Sequence, residues 1–388
     1  MEYVGNVVLP DGVLHGCKVV CENGIICQIT PCCQGDTEHL PYITPGFIDI
    51  HNHGAMGHDY MEANDQAFDA IREHLTRHGV TATQPTTVSA PLNQLEAFFA
   101  AYRNYQSRAG EELCRFVGIH IEGPYIAPAA RGAHQLDTLL TPEKDGYDWL
   151  LKNRDIIREV TVAPELAGMP KMIGDLHRAG IAVSGGHDSA EPEDIEAAAR
   201  AGMTHCTHIY CAMSTLHKTN GQRRHGLCEY AMTHDNITAE MIADNHHVPP
   251  LLARMIHKAK GANHTCLVSD AIAPAGLPES DQLYRLGTGE DCTMVRVEDG
   301  VAMVEDRSCY AGSVQALDQM VRNMVFDAGL PLEDAIAMAS LTPAKVIGLD
   351  HCCGSVAVGK RADLCILDTQ LNVIQTVIAG KVVWKKGV

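Results

Sequence analysis

The middle of the chain alternates between strand-like and helix-like patterns. Eight short apolar runs are separated by segments with helical periodicity, and several of these segments end in glycine, as helix C-caps do. The alternation predicts an α/β fold of parallel strands with right-handed crossovers, and eight strands close a TIM-like (β/α)8 barrel. A doubly wound open sheet is the alternative. The expected strands are GFIDIHNH (46–53), TATQPTTV (81–88), RFVGIHIEG (115–123), EVTVAPEL (159–166), IAVSGGH (181–187), MTHCTHIY (203–210), ITAEMIAD (237–244) and TCLVSDA (265–271).

The two ends of the chain differ in character from the middle. Residues 1–44 and 346–388 consist of short β-rich runs separated by turn residues such as glycine and aspartate. Two such segments at opposite ends pair most simply with each other into one small β-sandwich. The predicted domains are therefore this β-sandwich over both ends and the (β/α)8 barrel over 45–345, which is inserted between the two halves of the sandwich.

Composition argues against several classes of partner. The 388 residues carry a formal net charge of −18, which disfavours nucleic acid and anionic membranes but allows a small anionic substrate in a local basic pocket. No apolar stretch reaches the roughly 18 residues of a membrane-spanning helix. The N-terminus lacks the pattern of a secretion signal, and the 15 scattered cysteines suit reduced thiols. We therefore expect a cytoplasmic protein.

Six residues with metal-ligand chemistry stand at the ends of five of the expected strands. The carboxyl ends of barrel strands meet at one rim, where the active sites of barrel enzymes lie. Each residue alone could be a satisfied polar group of the core, but the joint pattern predicts a site for one or two divalent ions. The six residues are His51, His53, Glu122, His187, His208 and Asp270.

Local patterns support this set of ligands. His51 and His53 are two residues apart on one strand, so their side chains point to the same face. Glu122 ends an apolar strand, where a carboxylate is costly unless it is paired or bound to a cation, and its two oxygens can bridge two ions. His205 competes with His208 as the ligand from the sixth strand, but its position three residues earlier predicts that it faces the other side.

These stretches resemble the amidohydrolase superfamily and, within it, the family of N-acetylglucosamine-6-phosphate deacetylases. The resemblance runs from residue 45 to residue 368, and its specific features are the Glu-Gly-Pro motif and the spacing from Glu122 to His134. The matching stretches are PGFIDIHNHG, GIHIEGPYIAPAARGAH, SGGHDS, THIYCAMS, IADNHHV, LVSDAIAPAG, AGS and VGKRADLCILD.

The resemblance implies a role for each ligand. The ion would be zinc, with iron or another divalent metal as alternatives, and Asp270 would also be the general base that activates water. The fourth strand, EVTVAPEL, has no lysine to bridge two metals, which fits the branch that uses glutamate. The implied principal site consists of Glu122, His187 and His208. The implied second site consists of His51, His53, Glu122 and Asp270.

The resemblance also implies a homodimer and a substrate. The reaction would be hydrolysis of the acetamide of an N-acetylhexosamine 6-phosphate, with N-acetylglucosamine 6-phosphate as the first candidate. His134 would contact the sugar or acetyl group and help to stabilise the oxyanion, while Arg223 and His247 would bind the phosphate. The backbone around Ala212 and Gly312 would line the pocket.

Several positions depart from the family pattern near the implied sugar and phosphate contacts. Cys211 replaces an Asn, Arg224 and His225 replace Glu-Pro, and Asn245 replaces a Gly. These departures leave the deacetylase chemistry intact but leave open how the sugar and phosphate are recognised. The alternatives are a galacto-configured or non-phosphorylated N-acetyl sugar, an N-acyl amino acid, a cyclic amide, or a non-catalytic scaffold with the amidohydrolase fold.

Overall fold

A ring of eight parallel strands forms the centre of the molecule. The computed structural model describes residues 1–33, 35, 37–289 and 292–387. Each barrel strand pairs in parallel with its neighbour in the chain, in the order of the sequence. This arrangement confirms the predicted barrel. The strands are β1 (Phe47–Asn52), β2 (Val80–Thr87), β3 (Ile119–Glu122), β4 (Ile157–Val162), β5 (Ala182–Gly185), β6 (His205–Cys206), β7 (Thr238–Met241) and β8 (Thr265–Leu267).

Contacts between the first strand and the segment after the last strand close the ring. An isolated parallel bridge joins Asn52 to Ala271. The backbone N–H of Asp270 donates to the carbonyl oxygen of His51 at 2.9 Å. These bonds bring two residues that are far apart in the chain, His51 and Asp270, to the same rim of the barrel.

Helices connect successive strands. The helices expected from DQAFDAIREHLTRHG, PKMIGDLHRAG, EPEDIEAAARAG and PPLLARMIHKAKG are present, and two of them are capped by the glycines that end those patterns, Gly202 and Gly261. No described helix is long and apolar enough to cross a membrane. The helices are Asp65–Arg77, Leu92–Gln106, Pro142–Asp145, Asp148–Lys152, Met169–Arg178, Pro192–Ala201, Leu227–Thr233, Pro250–Lys260, Leu317–Arg322, Leu332–Met338 and Leu341–Val346.

The two ends of the chain meet in a second, seven-stranded sheet. Antiparallel pairing of Tyr42 with Leu367 and of Pro45 with Leu364 joins the N-terminal half to the C-terminal half. The sheet has its own apolar cluster with members from both ends of the chain. The pairing of the ends agrees with the sequence, whereas the boundaries at residues 45 and 345 stay a prediction. In spatial order the strands are Lys381–Lys385, Val373–Ile378, Leu364–Leu367, Tyr42–Pro45, Glu2–Leu9, Gly12–Glu22 and Ile25–Pro31.

Besides the short hairpin of Gly54–Ala55 with His58–Asp59 after β1, two small antiparallel sheets lie between barrel elements and were not anticipated from the sequence. One is a hairpin, His217–Thr219 with Gln222–Arg224, between β6 and β7. The other follows β8 and has three strands: Tyr284–Leu286, Thr293–Glu298 and Val301–Val304.

The packing of helices on the barrel generates a stability prediction. Phe68 is fully buried, and its ring lies 5.1 Å from the ring of Tyr105 and 5.6 Å from that of Phe116. Phe68→Ala should lower the free energy of unfolding by about 3–5 kcal/mol, because it removes apolar contacts and leaves a cavity. Urea denaturation measures this loss. The control Phe326→Ala alters a side chain that is 57% exposed, so it should change stability by no more than about 0.5 kcal/mol. Similar losses in both variants would contradict this account of the core.

Candidate metal centre

The six predicted ligands converge at the carboxyl ends of the barrel strands. They are nearly buried, from 0% exposure for His51 to 8% for Asp270. Glu122 is central to the group, since His187 and His208 face its Oε1 atom while His53 faces its Oε2 atom. The structure therefore brings together all the residues that the sequence proposed as ligands.

The donor atoms fall into two sets that share Glu122. In the first set, Oε1 of Glu122 lies 3.2 Å from His187 Nε2 and 3.1 Å from His208 Nε2, and the two nitrogens are 3.0 Å apart. In the second set, His53 Nε2 lies 3.2 Å from Glu122 Oε2, 3.2 Å from Asp270 Oδ1 and 3.2 Å from His51 Nε2. The two oxygens of the Glu122 carboxylate thus face the two sets separately.

Hydrogen bonds on the outer side of two rings turn nitrogen lone pairs inward. His187 Nδ1–H donates to the carbonyl oxygen of Ala130 at 2.8 Å, and His51 Nδ1–H donates to Glu240 at 2.9 Å. In a neutral imidazole with a proton on Nδ1, the Nε2 atom carries a lone pair. Two Nε2 lone pairs only 3.0 or 3.2 Å apart repel each other unless a proton or a metal cation lies between them, and imidazole with carboxylate suits zinc and similar ions. The residues therefore fit a divalent metal centre.

Three of the ligands lie just beyond strand ends in left-handed backbone conformations. The φ angle is +48° at His187, +28° at His208 and +44° at Asp270. Such values are uncommon for residues other than glycine and concentrate at functional sites. Strands β5, β6 and β8 end earlier than the sequence predicted, because the backbone leaves the hydrogen-bonded ladder to direct these side chains into the site.

The charges of the cluster outweigh the effect of burial on its carboxylates. Burial alone would raise the pKa of Glu122, but the neighbouring histidines, His51 first, hold it well below its usual range. Burial alone would lower the pKa of His53, but Asp270 and Glu122 raise it to about 9. A cation that binds here has to displace a proton from His53, so metal affinity should rise with pH up to that value.

His134, the second predicted catalytic residue, lies beside Glu122. The backbone N–H of Ser89 donates to His134 Nδ1 at 3.0 Å, which places the ring proton on Nε2, 3.2 Å from Glu122 Oε2. Burial lowers the pKa of His134 to about 4 although Glu122 opposes the effect. His134 is therefore a neutral imidazole at neutral pH, and its Nε2–H is a hydrogen-bond donor at the centre.

A cavity of about 760 Å³ opens over the cluster, and three of the predicted substrate residues, Ala212, His247 and Gly312, line it. His247 Nδ1 lies 2.7 Å from Asp244 Oδ2, a hydrogen bond that orients the ring. Gly312 has a φ of +91°, and a Cβ atom at this position would lie only 2.7 Å from the backbone oxygen of Asp270. Glycine is thus required for the close approach of this wall to the site.

Arg223 stands apart from the other predicted contacts. It is exposed on the strand Gln222–Arg224 and is outside the lining of the cavity, so its role in phosphate binding stays a prediction. Among the departures from the family pattern, Cys211 lines the cavity. His225 instead stacks on a neighbouring tyrosine ring, and Asn245 donates to Asp327 at 2.7 Å.

Sequence reasoning missed a polar layer of the barrel interior next to the ligands. His205 was expected to face away from the site, but its side chain points inward, where Nε2 lies 3.4 Å from Glu240 and 3.6 Å from Glu159. His120 shares a face of β3 with Glu122, two residues later. The sequence does show polar or charged residues within apolar strands, which could have indicated this layer. The strand pattern does not show which of these side chains contact each other.

Fold and site together define a class: barrel enzymes that hold divalent ions between imidazoles and carboxylates at the carboxyl ends of their strands. A model described as the amidohydrolase family matches residues 42–383. The chain therefore belongs to the amidohydrolase family.

Individual relatives cover nearly the whole chain. N-acetylgalactosamine-6-phosphate deacetylase of Escherichia coli O157:H7 is 33% identical, over 96% of this chain and 96% of its own. N-acetylglucosamine-6-phosphate deacetylase of Vibrio furnissii is 32% identical, over 96% and 93%. A mutant of N-acetyl-D-glucosamine-6-phosphate deacetylase from Mycobacterium smegmatis, solved in complex with N-acetyl-D-glucosamine-6-phosphate, is 30% identical with a TM-score of 0.87, over 99% of each chain.

The shared carboxylate generates a prediction about metal content. Glu122→Ala should lose all bound metal, because the two oxygens of this residue face both sets of ligands. His53→Ala should keep the ion between His187 and His208, because it alters the other set alone. Metal per chain is measured by inductively coupled plasma mass spectrometry after dialysis, with the exposed His351→Ala as control. Equal loss in the Glu122 and His53 variants would contradict the two-set arrangement.

Proposed function

We propose that this protein hydrolyses the acetamide of an N-acetylhexosamine 6-phosphate, releasing acetate and the amino sugar phosphate. The observation that carries the proposal is the carboxylate-bridged imidazole cluster, which opens onto a cavity beside a neutral histidine donor. The names of the relatives in Vibrio furnissii and Mycobacterium smegmatis support N-acetylglucosamine 6-phosphate as the substrate. Retention of all six ligands argues against a non-catalytic scaffold.

Asp270 is proposed as the general base and then the general acid. A divalent ion held in the cluster would lower the pKa of water and polarise a carbonyl oxygen. Burial alone would raise the pKa of Asp270, but His51 and His53 lower it, so the side chain is an ionised carboxylate. Asp270 takes the proton of the attacking water and passes it to the amine nitrogen as the C–N bond breaks, because an unprotonated amide anion is a poor leaving group.

His134 is proposed to stabilise the negative charge that develops on the carbonyl oxygen. Its Nδ1 atom is occupied by the N–H of Ser89, so Nε2 can only donate. A donor held in place before reaction stabilises an oxyanion without reorganisation. The same hydrogen bond would orient the acetyl group of the substrate.

His247 is proposed as a contact of the phosphate. When its imidazole is protonated, both ring N–H groups are donors, one to Asp244 and the other to an oxyanion in the cavity. The ring of Tyr310 lies 5.0 Å from that of His247 and lines the same wall. Arg223 is kept as a second phosphate contact on the resemblance alone.

A galacto-configured substrate is the second candidate, since the relative in Escherichia coli O157:H7 is named for N-acetylgalactosamine 6-phosphate. The two sugars differ in the configuration of one hydroxyl group. Cys211 lines the cavity in place of the usual Asn, which removes an amide donor and acceptor that could read a hydroxyl.

The metal, the assembly and the compartment are also proposals. Zinc is the first choice, because four imidazoles and two carboxylates suit it, and the intact His51–His53 pair supports two ions per subunit. The resemblance supports a homodimer. Fourteen cysteines in the described part of the chain are free thiols, which supports a reducing compartment such as the cytoplasm.

Acetate release is the direct test of the function. The zinc-loaded protein should release acetate from N-acetylglucosamine 6-phosphate faster than from N-acetylgalactosamine 6-phosphate or unphosphorylated N-acetylglucosamine, and exhaustive chelation should abolish the activity. Asp270→Asn should lower kcat about 100-fold or more, because general acid–base catalysis is lost. It should keep the ion between His187 and His208.

The control for this variant is Asp11→Asn, which alters an exposed turn carboxylate and should be fully active. Undiminished turnover after removal of metal would refute the metal-dependent mechanism. A higher rate on the galacto sugar would replace the first substrate by the second, and full activity of Asp270→Asn would remove this residue from the mechanism.

The phosphate contact can be tested separately from the chemistry. His247→Ala should raise KM for the phosphorylated substrate roughly tenfold or more, because it removes a hydrogen bond to a charged group. The KM for the unphosphorylated sugar should change little. Steady-state kinetics on the sugar pair measure the difference, and equal changes in both KM values would show that His247 does not contact the phosphate.

A further inference from the structure

A buried carboxylate, Glu240, lies directly behind the ligand His51. It is on β7, is fully buried, and belongs to none of the sets that face the cavity. The interior of a (β/α)8 barrel is normally filled by branched apolar side chains, and an unpaired charge there is costly. A carboxylate in this position therefore calls for a specific explanation.

One oxygen of Glu240 accepts hydrogen bonds from two segments that carry candidate ligands. The Oε2 atom accepts a hydrogen bond from His51 Nδ1–H at 2.9 Å and another from the backbone N–H of His208 at 3.2 Å. His51 is on β1, and His208 follows β6. The same oxygen thus determines the orientation of one ligand ring and the position of a second ligand in its left-handed turn.

The other oxygen of Glu240 faces His205, and His205 faces Glu159. Nε2 of His205 lies 3.4 Å from Glu240 Oε1 and 3.6 Å from Glu159 Oε1. All three atoms are buried and lack a hydrogen bond of good geometry. Burial raises the pKa of Glu159 to about 8, so at neutral pH the His205 ring lies between the Glu240 carboxylate and a neutral carboxylic acid. The row of three side chains packs against Glu240 from behind.

We propose that Glu240 is a positioning residue of the metal centre, and that His205 and Glu159 support it from the barrel interior. The inference rests on the proposed metal centre but not on the identity of the sugar. A carboxylate that accepts the outer N–H of a metal-binding histidine fixes its tautomer and ring orientation, and loss of such a partner typically weakens metal binding about 10–100-fold.

The geometry also predicts which substitution restores function. In Glu240→Gln the amide oxygen can occupy the Oε2 position and accept from His51 and His208, while the amide nitrogen faces His205. In Glu240→Ala both donors lose their acceptor. Glutamine should therefore recover most of the affinity that alanine loses, which a simple requirement for negative charge does not predict.

The test is zinc affinity of the demetallated protein, measured by competition with a chromogenic chelator. Glu240→Ala should bind zinc about tenfold or more weakly, and Glu240→Gln should lie close to the wild type. His205→Asn and Glu159→Gln should weaken zinc binding less than Glu240→Ala does.

The matched control is Asp318→Asn, since Asp318 is a buried carboxylate paired with His78 at 2.8 Å. It should lower the unfolding temperature and leave zinc affinity unchanged.

Melting with and without zinc separates positioning from folding. A positioning role predicts that Glu240→Ala reduces the rise in melting temperature caused by zinc, because that rise depends on the affinity for zinc.

The proposal is overturned if Glu240→Ala destabilises the zinc-free and zinc-bound forms equally with unchanged zinc affinity, or if the alanine and glutamine variants bind zinc equally weakly. It is also overturned if His205→Asn loses one whole zinc equivalent at saturation, since the cluster would then itself hold an ion. Wild-type protein that binds no zinc would overturn the metal centre and this inference together, whereas lack of deacetylation alone would refute only the substrate.

Discussion

The arrangement of residues at the rim of the barrel depends on one buried carboxylate, Glu122. Its oxygens lie within 3.5 Å of nitrogens from five histidine rings. Burying this many ionisable groups is costly unless a cation or hydrogen bonds compensate. The compensation links separate parts of the chain, because the candidate ligands lie at the ends of five different strands. Two features of the backbone bring these side chains together: the closure of the ring and the left-handed turns after β5, β6 and β8. The result is the short distance between the imidazole nitrogens.

The polar groups of the barrel are arranged by depth. At the cavity lie His134, whose Nε2 faces Glu122, and Asp270, the proposed general base. Below them the shared ligands offer lone pairs to a cation, and below those Glu240 and His205 hold the ligands in orientation. Backbone groups contribute as well, since Ser89 and Ala130 each determine which nitrogen of a histidine carries the proton. The chemistry therefore depends on tautomers that the surroundings select.

The barrel and its metal cluster could be anticipated far better than the substrate contacts. Strand–helix alternation is a local pattern, and the ligands end strands that the alternation itself identifies. Arg223 was assigned from a motif alone, and the structure places it on an exposed hairpin outside the cavity. Cys211, by contrast, does reach the cavity wall. Loop residues of this kind take positions that depend on the whole fold, so a motif indicates their identity but not their distance from the site.

The sequence by itself determined the class of fold and the six candidate ligands, because periodicity and strand-end position are properties of neighbouring residues. Only the tertiary structure decided that His205 lies in the interior against Glu240, since β6 ends at Cys206 and the chain then turns. Alternation along a strand predicts which face of the sheet a side chain occupies only for residues within the strand. Distances between residues more than a hundred positions apart, such as His51 and Glu240, follow from ring closure, which no local pattern encodes.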